Sequence, residues 1–468
     1  MRACVRYALL LVTAAPTLLG AQGFSIYELG TCSMGRAGTG VAAPCPDGSG
    51  IFFNPAGLAG LKGWHVSAGG TLIKATGDYT SDATVAKTSL DNPWIPVPQA
   101  YLAFGATSKL GIGIGLFAPY GLETRWPLSF DGRFTGYDNI IRTIYIQPTA
   151  AYQVTPWLSL GAGLDIVDGK VELNQRLDLA DQALTLPGPT VLPFTAFGIA
   201  PGTDFANAHL EASKTKVTGA HFGALAKVND RLAIGARYLM RAKLDYTGTA
   251  TFSPVATGII IPTQITLPGG LPPIPAGASL DAVLTQFGVF TTLLPNQAVS
   301  TTIENPEQLV FGLSYKLRTD LTVLADYQFT RWSRFSQLPI NFSNPGTPSQ
   351  VLNAYYSNTS DFRLGAEWVR NEKLTLRGGY LYNTAAAPSE TVTPLLPEGA
   401  RNELTGGAGI KLTPRWAVDF AYQFIKQNDR RGRTRDPSGA TVSQLQGLNN
   451  GVYSFSAHLL GLSLAYTF

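Results

Sequence analysis

From residue 64 onward the chain alternates. Apolar residues and small or polar ones take turns over segments of about ten residues, the length a tilted membrane strand needs. The last segment is the clearest. His458, Leu460, Leu462, Leu464, Tyr466 and Phe468 alternate with Leu459, Gly461, Ser463, Ala465 and Thr467. Before it, Trp416, Val418, Phe420, Tyr422 and Phe424 alternate with Ala417, Asp419, Ala421 and Gln423. Phe362, Leu364, Ala366 and Trp368 stand likewise against Arg363, Gly365 and Glu367. One set suits lipid and the other a lumen. A basic side chain facing lipid at the bilayer midplane costs about 2–4 kcal/mol, so Arg363, and with it Glu367 and Asp419, should point inward.

Fourteen such segments are predicted, near 64–76, 97–107, 110–118, 139–154, 157–173, 212–228, 231–247, 307–317, 320–330, 360–370, 373–383, 400–412, 415–427 and 456–468. Short connections carry turn residues, as at Thr155-Pro156, Asn229-Asp230 and Thr413-Pro414. Long ones lie between them, near 77–96, 119–138, 174–211, 248–306, 331–359, 384–399 and 428–455. Short periplasmic turns and long extracellular loops mark outer-membrane barrels. The fold class is therefore all-β, a 14-stranded antiparallel transmembrane β-barrel. An even count leaves both of its ends on the periplasmic side, and Phe468 closes the last strand.

Composition agrees. The 468 residues are 45% hydrophobic but only 14% charged, against about 25% in soluble domains. Mean hydropathy is only +0.08, too polar for a helical membrane bundle. Arg2 and Arg6, the apolar run Tyr7 to Leu19 and the small residue Ala21 read as a signal peptide over 1–21. No later stretch is long and apolar enough for a membrane helix, so an exported chain of this kind crosses a membrane only as a closed barrel. The net charge of +4 carries no nucleic-acid signature. Cys32 and Cys45 remain after cleavage in an oxidising compartment, as a possible disulfide or as two buried thiols.

Residues 22–63 break the alternation. They are rich in Gly, Ala and Ser, and a segment this short cannot build its own core. The barrel lumen is the simplest surface for it, so it reads as an N-terminal plug, with the barrel over 64–468. The loops near 174–211 and 248–306 are unusually apolar. They hold Val191-Leu192-Pro193-Phe194, Ile259-Ile260-Ile261-Pro262 and Phe287-Gly288-Val289-Phe290. Loops so apolar pack on each other or hold an apolar guest, which makes Phe194, Phe287 and Phe290 candidates for ligand capture.

The plug carries Gly35-Arg36-Ala37-Gly38-Thr39-Gly40, then Phe53-Asn54-Pro55-Ala56-Gly57-Leu58. Further on come Pro119-Tyr120-Gly121-Leu122 with Trp126, Tyr327-Gln328-Phe329-Thr330-Arg331-Trp332-Ser333, and Pro397-Glu398-Gly399-Ala400-Arg401. In that order these blocks resemble the FadL/TodX family of outer-membrane transporters, along nearly the whole mature chain. The resemblance implies a hatch bearing Asn54, Pro55 and Ala56, loop capture of ligand, and a deeper apolar pocket. It also implies lateral exit where the third strand kinks inward, at Ala118, Pro119, Tyr120 and Gly121, with the hatch motif near that kink. Pro119 cannot donate a ladder hydrogen bond, so local chemistry agrees. Cys32 and Cys45 are not part of the family signature.

The implied function is passive uptake of hydrophobic compounds, long-chain fatty acids first and aromatic hydrocarbons second. A carboxylate ligand calls for a cation: Arg176 above the fifth strand, or Arg142, Arg237 and Lys316 in the lumen. Each could instead pair with wall acids such as Asp165, Asp326 or Glu367. A general porin would lack the plug. An outer-membrane lipase or a surface receptor is the alternative of another class. The four histidines, His65, His209, His221 and His458, are scattered, and no Gly-x-Ser-x-Gly element or His/Cys metal cluster appears. No catalytic residue, metal or cofactor is expected. The expected partners are a hydrophobic ligand, outer-membrane lipid and lipopolysaccharide, and the barrel assembly machinery, with the chain a monomer.

Overall fold

The computed structural model describes residues 23–185, 191–267, 272–345, 347, 349–435 and 447–468. The expected signal peptide, residues 1–21, lies outside the described residues. Fourteen antiparallel strands close into one barrel. β1 (Gly63–Ser81), β2 (Ile95–Gly105), β3 (Leu110–Arg125), β4 (Asp138–Gln153), β5 (Leu158–Asp178) and β6 (Asp204–Lys227) follow one another around the wall. β7 is broken into Leu232–Leu239 and Ala242–Pro254, and β8 into Gln297–Asn305 and Gln308–Lys316. β9 (Leu321–Thr330), β10 (Thr359–Val369), β11 (Leu374–Asn383), β12 (Arg401–Lys411), β13 (Trp416–Gln427) and β14 (Gly451–Thr467) complete it. β14 pairs with β1 from His65↔Thr467 to Ser81↔Gly451, which seals the cylinder.

The alternation in sequence is the alternation in space. Leu364, Leu404 and Leu462 are 59–61% exposed on the outer face, where lipid replaces water. Arg363 and Asp419 are buried within, and Glu367 binds Arg377 there at 2.8 Å. At the short-turn end, Trp64 stacks on Phe104 and Trp416 meets Tyr466, each pair with centroids 4.5 Å apart. Such a girdle of rings marks a membrane interface.

At the other end several strands outrun the apolar pattern. β3 reaches Arg125 rather than 118, β5 reaches Asp178 rather than 173, and β6 starts at Asp204 rather than 212. Above the lipid belt the outer face meets water, so polar residues occupy both faces while the backbone ladder continues. The loops are correspondingly shorter than the sequence suggested.

Residues 23–62 fill the lumen. Two single-turn helices, α1 (Thr31–Met34) and α2 (Gly50–Phe53), and a 3-10 turn (Pro55–Leu58) carry almost wholly buried side chains. The wall holds this hatch by polar groups. Asp326 accepts from Gly40 N at 2.9 Å and Val41 N at 3.2 Å. Arg36 reaches Glu367 at 3.4 Å, and Tyr27 donates to Asp361 at 2.7 Å. The wall also yields space. A Cβ on Gly235 would lie 2.2 Å from Val41 O, and one on Gly161 2.4 Å from the Pro55 carbonyl carbon. Wall glycines thus let hatch backbone lie directly on strand backbone.

Cys32 and Cys45 are bonded at 2.01 Å, thirteen residues apart in sequence. Closing a loop of that size is worth about 3 kcal/mol through the unfolded chain. Replacing both by Ala is expected to loosen the hatch alone. Amide exchange in residues 31–46 should quicken while the barrel strands stay protected. Unchanged exchange there would show that the wall contacts suffice.

Candidate functional site

The third strand bends where Pro119 interrupts it. Its register against β4 shifts between Phe117 and Tyr120. Phe117, Ala118, Pro119 and Tyr120 are all buried in succession, which an undisturbed wall strand does not allow. The consequence falls on the other neighbour. β2 pairs with β3 only from Ala100↔Leu116 to Gly105↔Gly111, although β2 keeps its ladder to β1 up to Ile95. Above Leu116 the two strands part. Pro96 and Pro98 lie on the stretch of β2 left behind, and neither has an N–H to offer a neighbour. Two prolines two residues apart in one strand are the signal of this parting in the sequence, one that apolar alternation alone does not register.

The hatch takes up the bonds that β2 leaves. Ile26 N donates to Pro119 O at 2.9 Å, and Gly121 N donates to Phe24 O at 2.9 Å. Residues 24–26 therefore lie as a short strand along β3 at the gap. This corrects the expected position of the hatch motif. Asn54, Pro55 and Ala56 do not meet the kink; they sit against β5 and β6. The Asn54 amide donates to Ala224 O at 2.9 Å and Val41 O at 2.6 Å, and its oxygen accepts from Ala56 N at 3.1 Å. The reason is close approach: Gly161 and Gly223 clear room for Pro55 and Asn54 there.

Above the gap lies a cavity of about 440 Å³. Leu122, Val171, Leu173, Leu210 and Ile340 are among its apolar walls, and Phe24 belongs to its lining. Phe24 stands in a cluster of rings, 4.7 Å from Trp332, 5.3 Å from Phe335 and 6.2 Å from Tyr120. One hatch residue thus touches both the cavity and the parted strands.

Of the four candidate cations, only Arg176 lines this cavity. It stands 5.9 Å from the Tyr137 ring and 3.9 Å from Asp204, whose carboxylate is bound more closely by Arg133 at 2.9 Å. Arg237 is buried lower down, held by Gln308 at 2.9 Å, Gln328 at 3.2 Å and the Phe52 carbonyl at 3.2 Å. It fastens the hatch and does not face the cavity. Arg142 is not in the lumen: it is exposed, while its neighbours Thr143, Tyr145 and Gln147 face inward. Lys316 is also exposed, as the last residue of β8 at the short-turn end.

The apolar loops pack into a cap. Phe194 is 1% exposed, so it is cap core and not a free capture surface. Phe287 and Phe290 are half-buried against the same cluster, which includes Leu280 and Leu284 of α3 (Leu280–Gln286). None of the three phenylalanines lines the cavity.

Known proteins share this design. The model of the family described as outer membrane protein transport protein (OMPP1/FadL/TodX) matches residues 12–468. Outer membrane protein P1 of Haemophilus influenzae is 26% identical, over 96% of this chain and 95% of that one. The long-chain fatty acid transport protein of Salmonella typhi is 22% identical, over 98% and 97%. The crystal structure of a Pseudomonas aeruginosa FadL homologue superposes with a TM-score of 0.75 at 19% identity, covering 96% of this chain and all 100% of that one. The match over nearly its whole length places the chain in the outer membrane as a member of the OMPP1/FadL/TodX family of transport proteins.

Proposed function

We propose that the chain is a passive uptake channel for hydrophobic compounds, with long-chain fatty acids as its main cargo. The observation that carries this is the position of Phe24, in the lining of the apolar cavity and hydrogen-bonded to Gly121 at the parted strands. Transferring each CH₂ from water to an apolar site gains about 0.8 kcal/mol, so a greasy solute needs a dry route rather than a wet pore. The cavity removes the solute from water. Movement of residues 24–26 away from β3 then joins cavity to gap, and the solute leaves sideways into lipid. No energy source is required. Arg176, which lines the cavity as Arg435 also does, is suited to a carboxylate head, and its Nε makes no hydrogen bond among the described residues.

The ring cluster of Phe24, Trp332 and Phe335 favours aromatic hydrocarbons as a second reading. Uptake of oleate and of toluene by cells lacking a channel of this family separates the two. Expression of this chain is expected to raise oleate uptake, and Arg176→Ala to lower it without changing toluene entry. Toluene uptake alone would support the second reading. No increase for either solute would overturn both.

A further inference from the structure

The wall carries a second interruption. β6 pairs with β7 from Ser213↔Thr247 upward and from His221↔Leu239 downward, in one common register. Between them, residues 214–219 and 241–246 share no ladder. Among the described residues only Met240 N donates across at its lower edge, to Ala220 O at 3.0 Å. Each strand keeps its other neighbour through this stretch. Lys214 stays opposite Gly169 and Lys216 opposite Val167 on β5, while Ala242 stays opposite Asn305 and Tyr246 opposite Thr301 on β8. The seam alone is open.

Two lysines lie in it. Their pairing puts Lys214 and Lys216 on the same face as Val167, which is fully buried in the lumen. Both lysines are nevertheless exposed, as are Thr215 and Val217 on the opposite face. A strand exposed on both faces has lost the neighbour that would cover it. Neither lysine side chain has a hydrogen bond or ion pair among the described residues. Behind them stands Tyr246, fully buried, with its hydroxyl where a Cβ on Gly169 would come within 2.3 Å. Among the described residues that hydroxyl has no hydrogen-bond partner, and neither does the carboxylate of Asp165, about 4.0 Å from the Cβ position of Gly219 in the split.

The split has a definite height. In its lower half Val217, and at its lower edge Met240, present apolar surface to lipid. In its upper half the outer face is polar: Thr215 donates to Asp168 at 2.5 Å and Thr302 to Asp245 at 2.8 Å. It therefore straddles the level where an amphiphile of the outer leaflet keeps its head group. On the lumen side, Ala212 and Val171, two positions up from Lys214 and Gly169, line the apolar cavity.

We propose that this split is a second side portal, selective for amphiphiles with a carboxylate head. Lys214 and Lys216 hold the head at the membrane boundary, and Tyr246 is the door between the split and the cavity. Long lysine stems lie along apolar surface while their ammonium groups stay at a polar boundary, which suits them to this place. The inference rests on the channel reading above and adds an entry route to it.

The test compares oleate with its uncharged methyl ester, in cells expressing the full chain. Lys214→Gln with Lys216→Gln is expected to lower oleate uptake about fivefold, as fits the loss of two solvent-accessible ion pairs, and to leave methyl oleate unchanged. Unchanged oleate uptake, or an equal fall for both solutes, would overturn the portal. A second variant closes the split directly. In the shared register residues 215 and 245 face each other, so Thr215→Cys with Asp245→Cys can be linked across the open seam by a reducible bis-methanethiosulfonate crosslinker. Oleate uptake should then fall and return on adding a thiol reductant, with the unaltered chain under the same reductant as reference. Equal uptake in the bridged and reduced forms would also sink the portal. If the unaltered chain carries neither solute, the channel reading itself falls, and that result is distinct from the other outcomes.

Discussion

Gly161→Val together with Gly223→Val should turn a closed barrel into a conducting one. Each new Cβ would meet the hatch far inside van der Waals contact, 2.4 Å from the Pro55 carbonyl carbon and 2.2 Å from Asn54 Oδ1. The first of these atoms is backbone and cannot swing aside. Valine suits a strand, so the wall itself tolerates the change. The strain therefore falls on the 3-10 turn Pro55–Leu58 and the hatch shifts off β5 and β6. In planar bilayers the unaltered protein is expected to show little steady ion conductance and the double variant a persistent one. Silent bilayers with the variant, despite normal heat-modifiable gel mobility, would mean that the hatch yields elsewhere.

Gly121→Phe should do the reverse. The Cβ position of Gly121 is 3.0 Å from the side chain of Ile26, at the place where the hatch strand lies on β3. A benzyl group there occupies the passage from cavity to gap. Gly121 N still donates to Phe24 O, since the backbone bond does not depend on the side chain. Oleate uptake should fall at least about tenfold, equivalent to a barrier raised by about 1.4 kcal/mol, with the barrel still folded. Normal uptake in this variant would count against lateral exit beside the third strand.

The sequence shows most of this architecture because a membrane wall imposes a strict period of two. Lipid selects Leu364, Leu404 and Leu462 on one face and the hatch selects Gly161, Gly235 and Asp326 on the other. The same parity predicts Arg363 and Asp419 inward, where both are buried. Applied fully, it would also have placed Arg142 outward, since Arg142 shares its face with Ile144 and Ile146. Lys316 has the parity of a lumen residue but stands at the last position of its strand, where the lumen is already the periplasmic mouth. Other features left no periodic trace. Above the belt, alternation stops while the ladder goes on, so the tops of β5 and β6 read as loop. The parting of β6 from β7 occurs in the run Lys214-Thr215-Lys216-Val217, which looks like any polar rim. Which part of the hatch meets the kink depends on packing across about 95 residues of chain, from Phe24 to Pro119, and no local pattern encodes it.

The ring of wall glycines has a consequence for how members of this family can diverge. At those positions the barrel has surrendered its own side chains to the outline of one particular insert, and it has left acids such as Asp326 counting on that insert's amides. Transplanting a foreign hatch into this cylinder, or this hatch into a relative, would create collisions at some heights and voids at others. Working hybrids should emerge only when the inward residues at those heights travel with the graft, so that the two parts are inherited as a lock and its key.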